Sequence, residues 1–285
     1  MIPRNTERFF RMLVRIITSI VALFVFLPFL IFSDTVMFPF AMSILGFVAC
    51  YEMLRCVGLF GKPTVSIPTL LIPLAMPYLV RYLPDALELY VMIVAIYLLY
   101  MFGVAVFVSE KIAVQEIALV VMTSIYVTIG FMGMVKIRDY ENGGFFFLLI
   151  FIGAWMTDIF AYFSGRLFGK HKLIPAVSPK KTVEGAIGGT VCCIAIVILY
   201  GYICSLVSEQ FSPNYGVLAV CGLAAALASQ IGDLLMSVIK RKYGIKDYGN
   251  VLPGHGGILD RFDSCIAVSV VLMAVLGILS MLSVL

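Results

Sequence analysis

Three aspartates hold most of the chemical potential of this 285-residue chain: Asp233, Asp260 and Asp263. Asp260 and Asp263 are spaced i, i+3. A helix beginning near Leu259 would set both carboxylates on one face, close to its N-terminus. Asp233 lies in an apolar run, about 216–239, roughly two turns from its polar end. Ser229, Asp233, Ser237 and Arg241 recur every four residues and share a helical face. A carboxylate in a membrane span is costly and faces a bundle interior or a wet cavity. Hard cations such as Mg2+ take oxygen ligands, commonly one or two carboxylates with phosphates and water. Asp233, Asp260 and Asp263 are therefore predicted to converge on such a cation from two adjacent helix ends. Taken singly, Asp260 or Asp263 reads better as a helix cap, and the plain alternative for Asp233 is a structural hydrogen-bonding group. The set of three favours a metal.

Phosphate chemistry is suggested by what surrounds these acids. Gly254-His255-Gly256-Gly257 precedes Asp260. Glycines let backbone N–H groups approach a phosphate closely, and the helix start that follows favours negative charge. His255 suits phosphate contact, proton transfer or a structural bond. The window Ser237–Asp263 contains eight charged groups, among them Lys240, Arg241, Lys242 and Lys246. A second polar stretch runs from Gly165 to Gly185 and ends in Ser178-Pro179-Lys180-Lys181-Thr182-Val183-Glu184-Gly185. There a hydroxyl and two cations stand just before a helix whose start contains Thr182 and Glu184, which suits a triphosphate or a lipid phosphate. The spacing is not that of a Walker A loop. Any one of these lysines also reads as a topology signal or an anionic-lipid contact. Asp158 lies just upstream, on a helical face with Tyr162 and Arg166.

The elements that must position these groups are membrane spans. The chain is 62% hydrophobic and 13% charged, with a mean hydropathy of +1.08. This composition excludes an ordinary soluble domain. Runs of roughly 20 apolar residues give about nine spans: 13–32, 36–55, 65–83, 87–108, 113–135, 145–165, 186–207, 216–239 and 264–285. The first follows Arg4, Arg8, Arg11 and Arg15 but is long for a signal peptide and lacks an A-x-A site, so it reads as a retained helix. With the N-terminus cytoplasmic, only Arg81, Lys136 and Arg138 of the 20 basic residues fall on the far side. This asymmetry predicts nine spans, N-terminus in and C-terminus out. The seven cysteines form no C-x-x-C pair and read as buried thiols. The fold class is all-α and polytopic: one integral membrane domain over 1–285. Residues 1–140 are mainly hydrophobic scaffold, and 145–285 hold the catalytic helices and cytoplasmic loops. No nucleic-acid partner is expected.

The polar stretches match a family signature. Ser237, Lys240, Arg241, Lys246, Asp247, Gly254, His255, Gly256, Gly257, Asp260, Arg261 and Asp263 follow the pattern of the phosphatidate cytidylyltransferases, or CDP-diacylglycerol synthases. Gly165-Arg166, Gly169-Lys170-His171-Lys172, Ser178–Gly185 and Gly232-Asp233 also resemble that family. One departure is Lys242-Tyr243, where the family often has Asp. The resemblance is specific over roughly 154–264 and rests on hydropathy alone in the N-terminal third. It implies transfer of CMP from CTP to phosphatidate, giving CDP-diacylglycerol and pyrophosphate. It also implies a Mg2+-dependent site with room for a second cation, opening to the cytoplasm and to membrane lipid, often in a homodimer of a bacterial inner membrane. On that reading Asp233, Asp260 and Asp263 hold Mg2+, and Lys180, Lys181, Lys240, Arg241 and Lys246 share phosphate charge. Ser178, Thr182, Ser237, Arg261 and the Gly254–Gly257 turn position phosphates. Two other readings of the residues stay open. One is a cation-coupled secondary transporter, although the polar groups cluster at one membrane face rather than at midplane repeats. The other is a nucleotidyltransferase for a different lipid phosphate.

Overall fold

The computed structural model describes residues 24, 27–108, 110–207, 212–251 and 256–282. Eight helices in it are long and apolar enough to cross a membrane: α1 (Met37–Val57), α2 (Pro63–Tyr82), α3 (Leu87–Val108), α4 (Val114–Arg138), α5 (Gly143–Phe168), α6 (Val183–Val207), α7 (Tyr215–Lys242) and α8 (Leu259–Met281). They coincide with the second to ninth predicted spans, and the protein is an all-α polytopic membrane protein. Most of the first predicted span, 13–32, lies outside the described residues; 27–31 are helical. The short strands β1 (Lys172–Ile174) and β2 (Ser178–Thr182) pair antiparallel between α5 and α6.

The chain divides into two compact units. Met1–Thr128 join with Tyr243–Phe262, and Ile129–Lys242 with Asp263–Leu285. Residues 243–262 thus belong to the unit formed by the N-terminal helices.

In the first unit the helix ends follow local rules. Gly58 closes α1 in the left-handed region (φ 82°), donating its N–H to the Arg55 and Leu54 carbonyls. Pro63 opens α2, where its missing N–H costs no helical bond. Pro68, Pro73 and Pro77 then interrupt the hydrogen-bond ladder of α2. Side chains tie this weakened helix to its neighbours. Ser43 Oγ donates to the Leu74 carbonyl at 2.9 Å. Thr69 Oγ1, Tyr97 Oη and Ser124 Oγ form a buried chain at 3.1 and 2.9 Å, linking α2, α3 and α4. Arg81 donates to the Thr35 and Ser33 carbonyls.

In the second unit α5, α6 and α7 pack through small residues. A Cβ on Gly153 would meet Ala225 Cβ at 2.7 Å, and one on Gly189 would meet the Thr157 carbonyl oxygen at 2.8 Å. Such backbone approach is how membrane helices gain contact without a hydrophobic driving force. Five cysteines are buried, Cys56 and Cys192 are half-buried, and all seven are free thiols, as predicted.

Candidate active site

The second unit contains a cavity of about 390 Å³, and several residues singled out by sequence line it. Ser178, Lys180, Lys181 and Thr182 reach it from β2, Asp158 and Arg166 from α5, and Gln230 and Asp233 from α7. The stretch before α6, expected as a cytoplasmic loop, forms a hairpin. Lys172 pairs with Thr182 and Ile174 with Ser178, with an irregularity between the two pairings. Glu184 fixes the hairpin base, where its carboxylate accepts the Lys170 and His171 backbone N–H groups at 3.1–3.2 Å and approaches His171 Nδ1 at 2.6 Å. Thr182 Oγ1 accepts the Gly185 N–H at 3.1 Å, capping α6. The hairpin thereby turns Lys180 and Lys181 into fixed parts of the cavity wall.

Acids and bases adjoin one another in this wall and, at Asp263 and Lys240, beside it. Lys181 Nζ is in direct contact with Asp233 Oδ2. Asp158 experiences both Lys181 and Asp233, and Asp263 experiences Asp233, Asp158 and Lys240. Ser264 stitches the acid-bearing helices together, its hydroxyl lying 3.4 Å from Asp158 Oδ2 and 3.3 Å from the Ser229 carbonyl. Asp263 is buried at 8% exposure, and its Oδ1 accepts the Ser264 N–H at 2.8 Å. Three mutually repelling carboxylates from α5, α7 and α8 therefore share one region, with two lysines to offset them. Among the described residues no three His, Cys, Asp or Glu side chains are arranged to hold a metal ion by themselves. Mg2+ does not require three, because it keeps waters and binds one or two carboxylates together with substrate phosphates. The oxygen donors of Asp233 and Asp263, beside a third acid, fit that mode.

The remaining predicted residues divide between the two units. Ser237 and Lys240 are half-buried on α7, and Arg241 is exposed at its end. Lys246 and Arg261 are exposed in the first unit. Gly256 and Gly257 are buried in the same unit, and Gly254 and His255 lie outside the described residues. Gly256 takes a left-handed φ of 94°, a conformation that favours glycine. Asp260 Oδ2 accepts the Tyr248 N–H at 2.7 Å and the Gly257 N–H at 3.0 Å. The structure thus groups Asp233 and Asp263 in the second unit and gives Asp260 a loop-closing role in the first.

Two polar groups stand out that the sequence reading did not select. Gln230 Nε2 donates to Thr190 Oγ1 at 3.0 Å and to the Ala226 and Ala186 carbonyls. Its place three residues before Asp233 on one helix face was the available signal. Glu52, in α1, accepts the Ile258 N–H on Oε1 and the Leu259 N–H on Oε2, each at 2.9 Å. An acid within an apolar run was its only mark.

Comparison with known proteins completes the picture. A model described as the Cytidylyltransferase family matches residues 13–279. The chain belongs to the cytidylyltransferase family. Among curated relatives, it is 36% identical over 255 residues to phosphatidate cytidylyltransferases of Staphylococcus haemolyticus and Staphylococcus saprophyticus. It is 36% identical over 258 residues to that of Staphylococcus aureus. Each alignment covers 89% of this chain and 94% of the relative. The cavity thus sets carboxylates of α5 and α7 beside the lysines of β2. The match also covers the N-terminal third, where the sequence reading had found agreement in hydropathy alone.

Proposed function

We infer that this protein transfers CMP from CTP to phosphatidate, giving CDP-diacylglycerol and pyrophosphate. The carrying observation is its 36% identity, over nearly the full length of both chains, to phosphatidate cytidylyltransferases. The cavity of the second unit supports the same reading. A lipid phosphate and a nucleotide must meet at a membrane surface, and this cavity opens among spanning helices while presenting Lys180, Lys181 and Ser178.

The reaction needs no strong general base, because the phosphatidate phosphate is mostly ionised near neutral pH. One of its oxygens attacks the α-phosphorus of CTP. The bond from that phosphorus to the bridging oxygen of the β-phosphate breaks, and pyrophosphate leaves with its electron pair. Lys180 and Lys181 draw the polyanion to the hairpin side of the cavity and offset its charge. Ser178 offers a hydroxyl donor beside them. Lys240 and Arg241, at the end of α7, share the charge of substrate and leaving group, a role this reading also gives to Lys246 and Arg261. Asp233 and Asp263 would hold Mg2+, which neutralises phosphate charge when bound. Asp260 stands one turn before Asp263 on α8. A second cation, a homodimer, and a site facing the cytoplasm of a bacterial inner membrane belong to this proposal.

Purified protein in detergent, given phosphatidate, labelled CTP and Mg2+, should form labelled CDP-diacylglycerol, and excess EDTA should abolish it. Label appearing only in another lipid, with phosphatidate inert, would overturn the substrate assignment.

A further inference from the structure

The N-terminal third reads as hydrophobic scaffold, yet it contributes one of only two buried carboxylates among the described residues. These are Glu52, at 2% exposure, and Asp263. The surroundings of Glu52 are unusual for a membrane helix. Both oxygens accept consecutive backbone N–H groups, from Ile258 and Leu259, at the start of α8. Charge-assisted bonds to the positive end of a helix are among the stronger polar contacts a buried acid can make. The chain also wraps closely around this carboxylate. A Cβ on Gly249 would fall 2.5 Å from Glu52 Oε1, and one on Gly257 would overlap both oxygens. From the other side, Asp260 Oδ2 takes the Tyr248 and Gly257 N–H groups. Two acids, one distant in sequence and one local, thus hold the backbone at Tyr248 and at Gly257–Leu259.

We infer that Glu52 is a positioning residue for cytidylyl transfer: its carboxylate sets Gly257 and the first turn of α8, and so the placement of Asp260. The inference rests on the function proposed above. Glu52 touches no candidate substrate group; it acts through the backbone at 257–259. A capping acid that merely stabilised the fold would, when lost, loosen the bundle generally. A positioning acid loosens one segment and slows turnover.

The test uses the full-length protein in detergent micelles and two variants. E52Q keeps the shape but turns one acceptor into a donor facing an N–H. G249A pushes a methyl group against the carboxylate from outside. Hydrogen exchange of peptides covering 248–262 should accelerate about tenfold or more in both variants, with exchange in α5–α7 unchanged. The kcat should fall at least tenfold while KM for CTP moves less than about threefold. The inference is overturned if kcat and segment exchange stay at wild-type values, or if exchange rises throughout the helices. Should E52Q fail to fold, G249A decides by the same two measurements. Wild-type protein without CTP turnover would sink the functional reading, while the exchange data would still judge the clamp.

Discussion

At the scale of single residues, the proposed function gives the acids and lysines in and beside the cavity separable tasks. Asp263 is buried beside two other carboxylates, an arrangement that repels itself unless cations compensate. Asp263→Asn and Asp233→Asn should each lower turnover by about a hundredfold or more, since transition-state charge loses its counterweight. Labelled CTP incorporation, with thermal unfolding as a folding control, measures this. Full activity in both variants would remove the cation role. Lys181→Ala should act differently. It strips Asp233 of its direct partner and takes a cation from the wall, so KM for CTP should rise by roughly tenfold. A KM unchanged in steady-state assays would place the triphosphate elsewhere.

At the scale of elements, the second unit depends on helices that approach without side chains between them. Gly189 backs directly onto the Thr157 carbonyl and Ala161, so Gly189→Leu should force α5 and α6 apart. The unfolding midpoint in detergent should drop by several degrees, in line with overpacking costs of about 1–3 kcal/mol. An unchanged midpoint would show that this contact is not closely packed. The elements differ in how readable they were. α7 and α8 were legible because Ser229, Asp233 and Ser237 recur at helical spacing, and because Asp260 and Asp263 mark a helix start. The β1–β2 hairpin was not. Lys172–Thr182 shows no alternation of polar and apolar residues and contains Pro175 and Pro179, so its pairing follows from the anchoring by Glu184 and Thr182 rather than from strand propensity. Glu52 was illegible for a different reason. Its partners are backbone N–H groups, which leave no signature in side-chain type.

At the scale of the whole molecule, the distribution of lysine and arginine makes a directional prediction. With the N-terminus inside, Lys62 and Lys111 face the cytoplasm, while Asp34 and Glu141 face outward. In a background freed of its seven cysteines, single cysteines at 62 and 111 should resist an impermeant thiol reagent in intact cells, and those at 34 and 141 should label. The reverse pattern would invert the orientation and put the cavity on the wrong side for CTP. The bonds from Glu52 to residues 258 and 259 also span 206 and 207 positions of chain. During synthesis, α1 enters the bilayer with its acid unsatisfied long before α8 exists. The contact that satisfies this acid therefore forms only after the other spans have been made. The early helix gains these two partners only when α8 is delivered, and a chain stalled or cut before residue 258 leaves the Glu52 carboxyl without them. This early acid makes the integrity of the C-terminus a condition for the N-terminal helices to settle, and it gives membrane quality-control proteases a physical mark by which to recognise incomplete chains.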